Sequence, residues 1–127
     1  MTASVPETMT AIAIEGKSGP ETLKTQTLPV PVPQAGQILI KVAAAGVNRP
    51  DVLQRKGMYP APKGHSGLLG LEVAGTVAAS GPGAQRFEIG DAVMALVNGG
   101  GYAQYCLADE TASMPVPAGL SMTEAAA

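Results

Sequence analysis

The chain has 127 residues, of which 46% are hydrophobic and 14% are charged, and its formal net charge is −2. This length suits one domain with a hydrophobic core, and the lack of a basic cluster argues against nucleic acid as a partner. No apolar run reaches the roughly 18 residues of a membrane-spanning helix, and the first residues lack the pattern of a signal peptide. We therefore expect a cytoplasmic protein without a membrane partner.

Glycine and proline separate the apolar segments, since the chain holds 16 glycines and 11 prolines. This spacing predicts short strands joined by turns and disfavours a helical bundle. The first predicted strand covers residues 9–14. Residues 21–33 begin as a strand and continue as an extended proline segment. The strongest predicted strand covers residues 36–47, where Ile38 and Ile40 face the same side.

A short helix of two turns is predicted over residues 48–57. Pro50 suits the first turn of a helix, where its missing N–H has no partner to lose, and Gly57 suits the end. Residues 58–67 are predicted to form a loop.

The second half of the chain also reads as strands and turns. Residues 71–80 form a second long strand, and Gly75 inside it indicates a bulge or a close backbone approach. Residues 81–91 have the composition of a turn. We expect residues 91–97 and 101–108 to pair with each other across the "NGGG" turn.

The last predicted element is a helix over residues 121–127, after an extended segment over 113–120. Ser121 and Glu124 have the spacing of a capping box, in which the serine accepts from an early backbone N–H and the glutamate reaches back.

The residues offer little for metal or phosphate binding. Structural zinc needs four Cys or His ligands, and Cys106 and His65 are too few; a catalytic zinc built from these two and a carboxylate is the least favoured alternative. Residues 81–86 and 98–101 are glycine-rich but are interpreted as turns, because neither lies between a strand and a helix. Cys106 is expected to be a buried, inert thiol and His65 an exposed loop residue.

Glu72 lies in an apolar run between Gly70 and Gly75. Because an isolated buried charge is costly, we expect its carboxylate to be paired or to accept hydrogen bonds, and the glycines to allow close packing. The candidate partners are Arg49, Arg55 and Lys56.

Asn48 and Tyr59 have two interpretations each. Asn48 follows the strongest strand and suits a helix cap, but its amide could also bind a ligand. Tyr59 could line a pocket for a flat ligand or simply cover the edge of a core.

Three stretches together resemble the medium-chain dehydrogenase/reductase superfamily, and within it the zinc-free, zeta-crystallin-like quinone oxidoreductase group. They are "AAAGVNRPDVLQRKGMYPAPKG" (43–64), "LGLEVAGTVAASGPGAQRFEIGDAVMAL" (69–96) and "GGGYAQY" (99–105). The resemblance implies that residues 1–127 are the N-terminal, alcohol dehydrogenase-like catalytic domain. Its fold would be mainly β, a GroES-like partly open β-barrel with short helices. The Rossmann domain that binds NADPH in this family, and the C-terminal segment that returns to the catalytic domain, would both be absent from this chain.

The resemblance also assigns roles to residues. In zinc-dependent relatives the position of Leu71 carries a histidine ligand and the position of Asn48 a cysteine ligand, so the two departures imply a site without zinc. Asn48 would lie near the nicotinamide and Tyr59 would line the quinone pocket. Asp51 and Gln54, on the same helix, are weaker candidates for the pocket. Glu72, with Gly70 and Gly75, would form the base of the cleft.

The function implied by the resemblance is NADPH-dependent hydride transfer to a small quinone or activated alkene such as an enone. The chain alone is expected to be inactive. The alternatives are a GroES-like binding module that self-associates, with a homodimer as one form, or a truncated product with no role of its own.

Overall fold

The computed structural model describes residues 4–16, 19–58, 63 and 66–127. Within these ranges the chain forms seven strands and two short α-helices. They are β1 (Thr8–Ile14), β2 (Leu23–Pro29), β3 (Gln37–Ala45), α1 (Arg49–Arg55), β4 (Glu72–Ser80), β5 (Ala92–Leu96), β6 (Tyr105–Asp109), β7 (Ser113–Pro115) and α2 (Met122–Ala125). Single 3-10 turns precede β2 and β7. Neither of the described helices is long and apolar enough to cross a membrane.

The strands form two antiparallel sheets. β1 pairs with β2, and the other five strands lie in the order β6-β3-β4-β5-β7. A bridge between Ala11 and Ala103 and a 2.8 Å hydrogen bond from the Ile12 N–H to the Tyr102 carbonyl attach the small sheet to the large one. This is the mainly β, partly open barrel with short helices that the family resemblance implies.

The core lies on both faces of β3. Ile38 and Ile40 are fully buried in one cluster, together with Val77 of β4. Leu39, which points the other way, is buried in a second cluster against Met9 of the small sheet. A strand covered on both faces is continuously apolar rather than strictly alternating, and this explains why the "ILI" run is the strongest strand signal in the sequence.

Gly75 marks a close approach between β3 and β4, as predicted. A Cβ at this position would overlap the Lys41 carbonyl oxygen. The register of the pair also shifts here, since Val42 faces Gly75 but Ala44 already faces Ala74. The shift is a β-bulge in β3.

The expected pairing of residues 91–97 with 101–108 is wrong. β5 pairs with β4 and β7, whereas β6 begins only at Tyr105 and pairs with β3. The reason is the loop between them, which bonds to a different segment: the Gly100 N–H donates to the Leu68 carbonyl and the Gly101 N–H to the Gly70 carbonyl. The loop therefore crosses the end of the sheet instead of closing a hairpin.

The end of the chain follows the prediction. The Glu124 N–H donates to Ser121 Oγ at 3.1 Å, and the Ser121 N–H donates to Glu124 Oε1 at 3.0 Å. This capping box starts α2. The extended segment before it contributes only the three residues of β7 to the sheet.

Candidate functional site

Asn48 is the N-cap of α1, as predicted, but its side chain does more than cap the helix. Its backbone is extended, with φ −132° and ψ 159°. Its side chain faces the Asp51 N–H in the arrangement of a capping box without making a regular hydrogen bond there. The amide nitrogen Nδ2 instead donates to Glu72 Oε1 at 3.1 Å, across 24 residues of sequence.

Asp51 joins three segments of the chain. Its Oδ2 accepts from the Asn48 backbone N–H at 2.9 Å and from the Tyr102 hydroxyl at 2.7 Å, while Oδ1 accepts from the Gly70 N–H at 3.3 Å. The residue is only 4% exposed. Its carboxylate thus ties the start of α1 to the segment before β4 and to the loop before β6.

Tyr102 is a site residue that the sequence analysis missed. Burial and then the neighbouring Asp51 carboxylate raise the pKa of the Tyr102 hydroxyl above its usual value, so the phenol stays protonated and donates. Its position after three glycines marks it as a residue of a tight loop. Nothing in that pattern indicates a partner 51 residues earlier in the chain.

Glu72 accepts a hydrogen bond, as predicted, but the partner that the structure shows is the Asn48 amide rather than one of the three proposed cations. Glu72 is half-buried, whereas the Asp51 carboxylate is buried. The correction has a geometric reason. Asn48 leaves β3 at the point where β4 begins, which brings its amide beside Glu72, and Gly46 leaves the space that the carboxylate occupies, because a Cβ there would overlap it.

Gly70 allows the close packing that its position suggests. Its φ is +103°, and an added Cβ would lie 2.6 Å from the Gly101 Cα. Because neither glycine has a side chain, the segment before β4 packs closely against the loop before β6, and this brings the Tyr102 hydroxyl within hydrogen-bond distance of Asp51.

Gln54 faces away from this network. Its Nε2 donates to the Gly67 carbonyl at 3.0 Å and so fastens α1 to the segment that follows. Tyr59 and His65 lie outside the described residues. Cys106 is buried as predicted, and burial raises the pKa of its thiol to about 12. Among the described residues, no group of three or more His, Cys, Asp or Glu side chains could hold a metal ion.

A concavity of about 500 Å³ lies beside β6 and the loop after β5. Leu28, Leu68 and Leu107 give it an apolar wall, and Gln37 and Asp109 contribute polar groups at its margin. The side chains of the network around Asn48 do not line it. The sequence analysis gave no sign of it, because its walls come from six separate parts of the chain.

Similarity to known proteins agrees with the fold. The alcohol dehydrogenase GroES-like domain family matches residues 34–118. The chain is 37% identical over 121 residues to a quinone oxidoreductase of Rattus norvegicus, covering 94% of this chain and 37% of the rat protein. It is 38% identical over 98 residues to a trans-enoyl reductase of Fusarium mangiferae, covering 77% of this chain and 26% of that protein.

Solved structures show the same architecture. The quinone oxidoreductase from Coxiella burnetii superposes with a TM-score of 0.83 at 30% identity, over 94% of this chain and 40% of that chain. The chain thus spans less than half the length of the relatives it matches. Because the family model matches more than half of the chain, the chain belongs to the alcohol dehydrogenase GroES-like domain family, within the medium-chain dehydrogenase/reductase superfamily.

Proposed function

We propose that this chain is the catalytic-domain portion of a cytoplasmic, NADPH-dependent oxidoreductase that reduces quinones or activated alkenes by hydride transfer without zinc. The observation that carries the proposal is the Asn48 amide, held at the start of α1 by Glu72. The similarity to a quinone oxidoreductase and to a trans-enoyl reductase supports the reaction class.

The residue types at the two relevant positions support chemistry without zinc. The resemblance implies that Asn48 and Leu71 occupy the places where zinc-dependent relatives have cysteine and histidine. An amide and an alkyl side chain supply neither a thiolate nor an imidazole, which are the ligands that zinc prefers.

The Asn48 amide suits a hydride-transfer pocket. NADPH would supply the hydride, and the reaction needs the nicotinamide and the acceptor held face to face and away from water. A neutral amide can hydrogen-bond the cofactor or the acceptor without adding a charge to that pocket. In this proposal Tyr59 forms one wall of the pocket, and Asp51 and Gln54 hold α1 in place.

The test compares the chain alone with a hybrid in which residues 1–127 replace the matching part of the rat quinone oxidoreductase. We expect the chain alone to leave NADPH unoxidised in the presence of a quinone, and the hybrid to oxidise it. NADPH binding by the hybrid, followed by nicotinamide fluorescence, is the control for its assembly. A hybrid that binds NADPH but reduces neither quinones nor enones would refute the proposal, and turnover by the chain alone would refute its inactivity.

A second candidate is a binding module that self-associates, for example as a homodimer. The observation that favours it is the apolar concavity beside β6, because β6 ends the described sheet and has a strand on one side only. Such an edge is a template for pairing with another chain. Sedimentation velocity at several concentrations tests it, and a monomer at every concentration would rule it out.

A further inference from the structure

α2 is too short to persist without its contacts to the sheet. It has four residues, Met122–Ala125, and isolated helices shorter than about 12 residues are marginal in water. Its capping box satisfies backbone donors at its start, but this local gain does not attach the helix to the sheet. The helix therefore depends on the side chains that pack it against β3 and β4.

The sheet surface next to α2 is a row of side chains that crosses four strands. In the strand register Ala44 lies beside Ala74, which lies beside Met94. Met114 of β7 follows as the neighbour of Met94. Because neighbours in a register share one face of the sheet, the row has small side chains on β3 and β4 and methionines on β5 and β7.

Two methionines provide much of the apolar packing around α2. The buried centre of the cluster consists of three alanines, Ala74, Ala125 and Ala126. The partly buried side chains packed against this centre are Ala44, Val116, Met94 and Met122. Among the described members of the cluster, the side chains larger than alanine are thus one valine and two methionines. The attachment of α2 therefore depends largely on two thioethers.

Both thioethers are open to oxidation. Met94 and Met122 are half-buried, whereas Met9 in the core is only 6% exposed. A hydroperoxide transfers one oxygen atom to the sulfur: an S–O bond forms, the O–O bond breaks, the sulfur loses two electrons and the peroxide is reduced to water or an alcohol. The resulting sulfoxide is polar, and a polar group packed against alanines without a hydrogen-bond partner is unfavourable.

We propose that Met94 and Met122 are a modification site for hydroperoxides and form a redox-sensitive contact, which holds α2 on the sheet as thioethers and releases it as sulfoxides. Because the helix is marginal by itself, release and unfolding of α2 occur together. Enzymatic reduction of the sulfoxides reverses the step. This property is independent of the reaction proposed above.

The test follows the amides of α2 in the 127-residue chain by hydrogen exchange. The Ala125 and Ala126 N–H groups donate to the Ser121 and Met122 carbonyls at 2.9 and 3.0 Å, so their exchange reports whether the helix is formed. Hydrogen peroxide is added until mass spectrometry shows one added oxygen on each of the two methionines. We expect this to speed the exchange of both amides roughly 10-fold or more, and methionine sulfoxide reductase to restore the original rate.

Two double variants make the test specific. Met94→Leu with Met122→Leu keeps the side-chain volume and cannot be oxidised, so peroxide should leave the exchange of α2 unchanged. The matched control, Met58→Leu with Met114→Leu, removes methionines that are 63% and 54% exposed, and it should stay as sensitive as the parent chain. Met122→Gln places a polar side chain in the cluster without any oxidant and should speed the exchange as well.

Several results would overturn the proposal. In the untreated chain, the amides of Ala125 and Ala126 could exchange at the rate of an unfolded peptide, which would show that α2 is not held. Their exchange could stay unchanged although Met94 and Met122 are fully oxidised, or the leucine variant could respond to peroxide as strongly as the parent chain. Oxidation of the buried Met9 before Met94 and Met122 would also contradict it.

Discussion

Asp51 offers the strongest test of how the site is built, through the substitution Asp51→Ala. The variant leaves three donors without their acceptor: the backbone N–H groups of Asn48 and Gly70 and the hydroxyl of Tyr102. A buried donor without a partner costs about 1–3 kcal/mol. Two effects reduce the loss of stability. The hydroxyl of the half-buried Tyr102 can hydrogen-bond to water instead, and the variant no longer has to desolvate a carboxylate on folding.

The two backbone N–H groups dominate, so we expect Asp51→Ala to lower the free energy of unfolding by about 3 kcal/mol. That is a large part of the about 5–15 kcal/mol that typical domains have. Urea denaturation followed by circular dichroism measures it, and the slope with denaturant should stay unchanged, since the surface exposed on unfolding is the same.

Two further variants make the test specific. Tyr102→Phe removes one hydrogen bond without leaving a buried donor, so it should cost about 1 kcal/mol, and almost nothing once Asp51 is already alanine. Asp91→Ala is the matched control, because that exposed aspartate accepts one backbone hydrogen bond, from the Glu88 N–H; it should cost less than about 1 kcal/mol. Equal losses for Asp51→Ala and Asp91→Ala, or additive effects of the Asp51 and Tyr102 variants, would refute the described network.

The remaining predictions concern backbone strain and titration. Gly70→Ala should lower the free energy of unfolding by about 2 kcal/mol more than Gly36→Ala does. Both glycines have a positive φ, but only a Cβ at Gly70 would press on Gly101. Equal unfolding midpoints for the two variants would contradict this. Cys106 should react with a thiol reagent at pH 8 roughly 100-fold or more slowly than a free thiol, and labelling at the free-thiol rate in native buffer would contradict its burial. Because the pKa of its thiol is raised in the folded state, the stability that this contributes should be lost as pH rises from roughly 8.5 through about 12. Hydrogen bonds from the N-cap serine lower the pKa of Glu124. The stability from this cap is therefore present above the pKa of Glu124 in the unfolded chain and is lost as pH falls through its pKa in the folded chain. An NMR titration midpoint equal to that of an unfolded peptide would contradict this prediction.

The sequence by itself determined the elements whose signals are local. The capping box of Ser121 and Glu124, the helix start at Asn48 and the close approach at Gly75 each depend on residues that are near in sequence or on one residue's missing side chain. The apolar run around Ile40 likewise identified the central strand. These features follow from backbone geometry and binary patterning, which act within a few residues.

Only the tertiary structure decided which distant residues meet. Three contacts depend on residues that are tens of positions apart in the sequence. They are the pairing of β6 with β3, the hydrogen bond from the Tyr102 hydroxyl to Asp51, and the hydrogen bond from the Asn48 amide to Glu72. Several polar side chains at this end of the sheet could have satisfied one another, and their types alone do not rank the combinations. The glycines of the loop before β6 pack it against Gly70, and this brings Tyr102 within hydrogen-bond distance of Asp51, whereas Gly46 leaves the space in which Glu72 reaches Asn48.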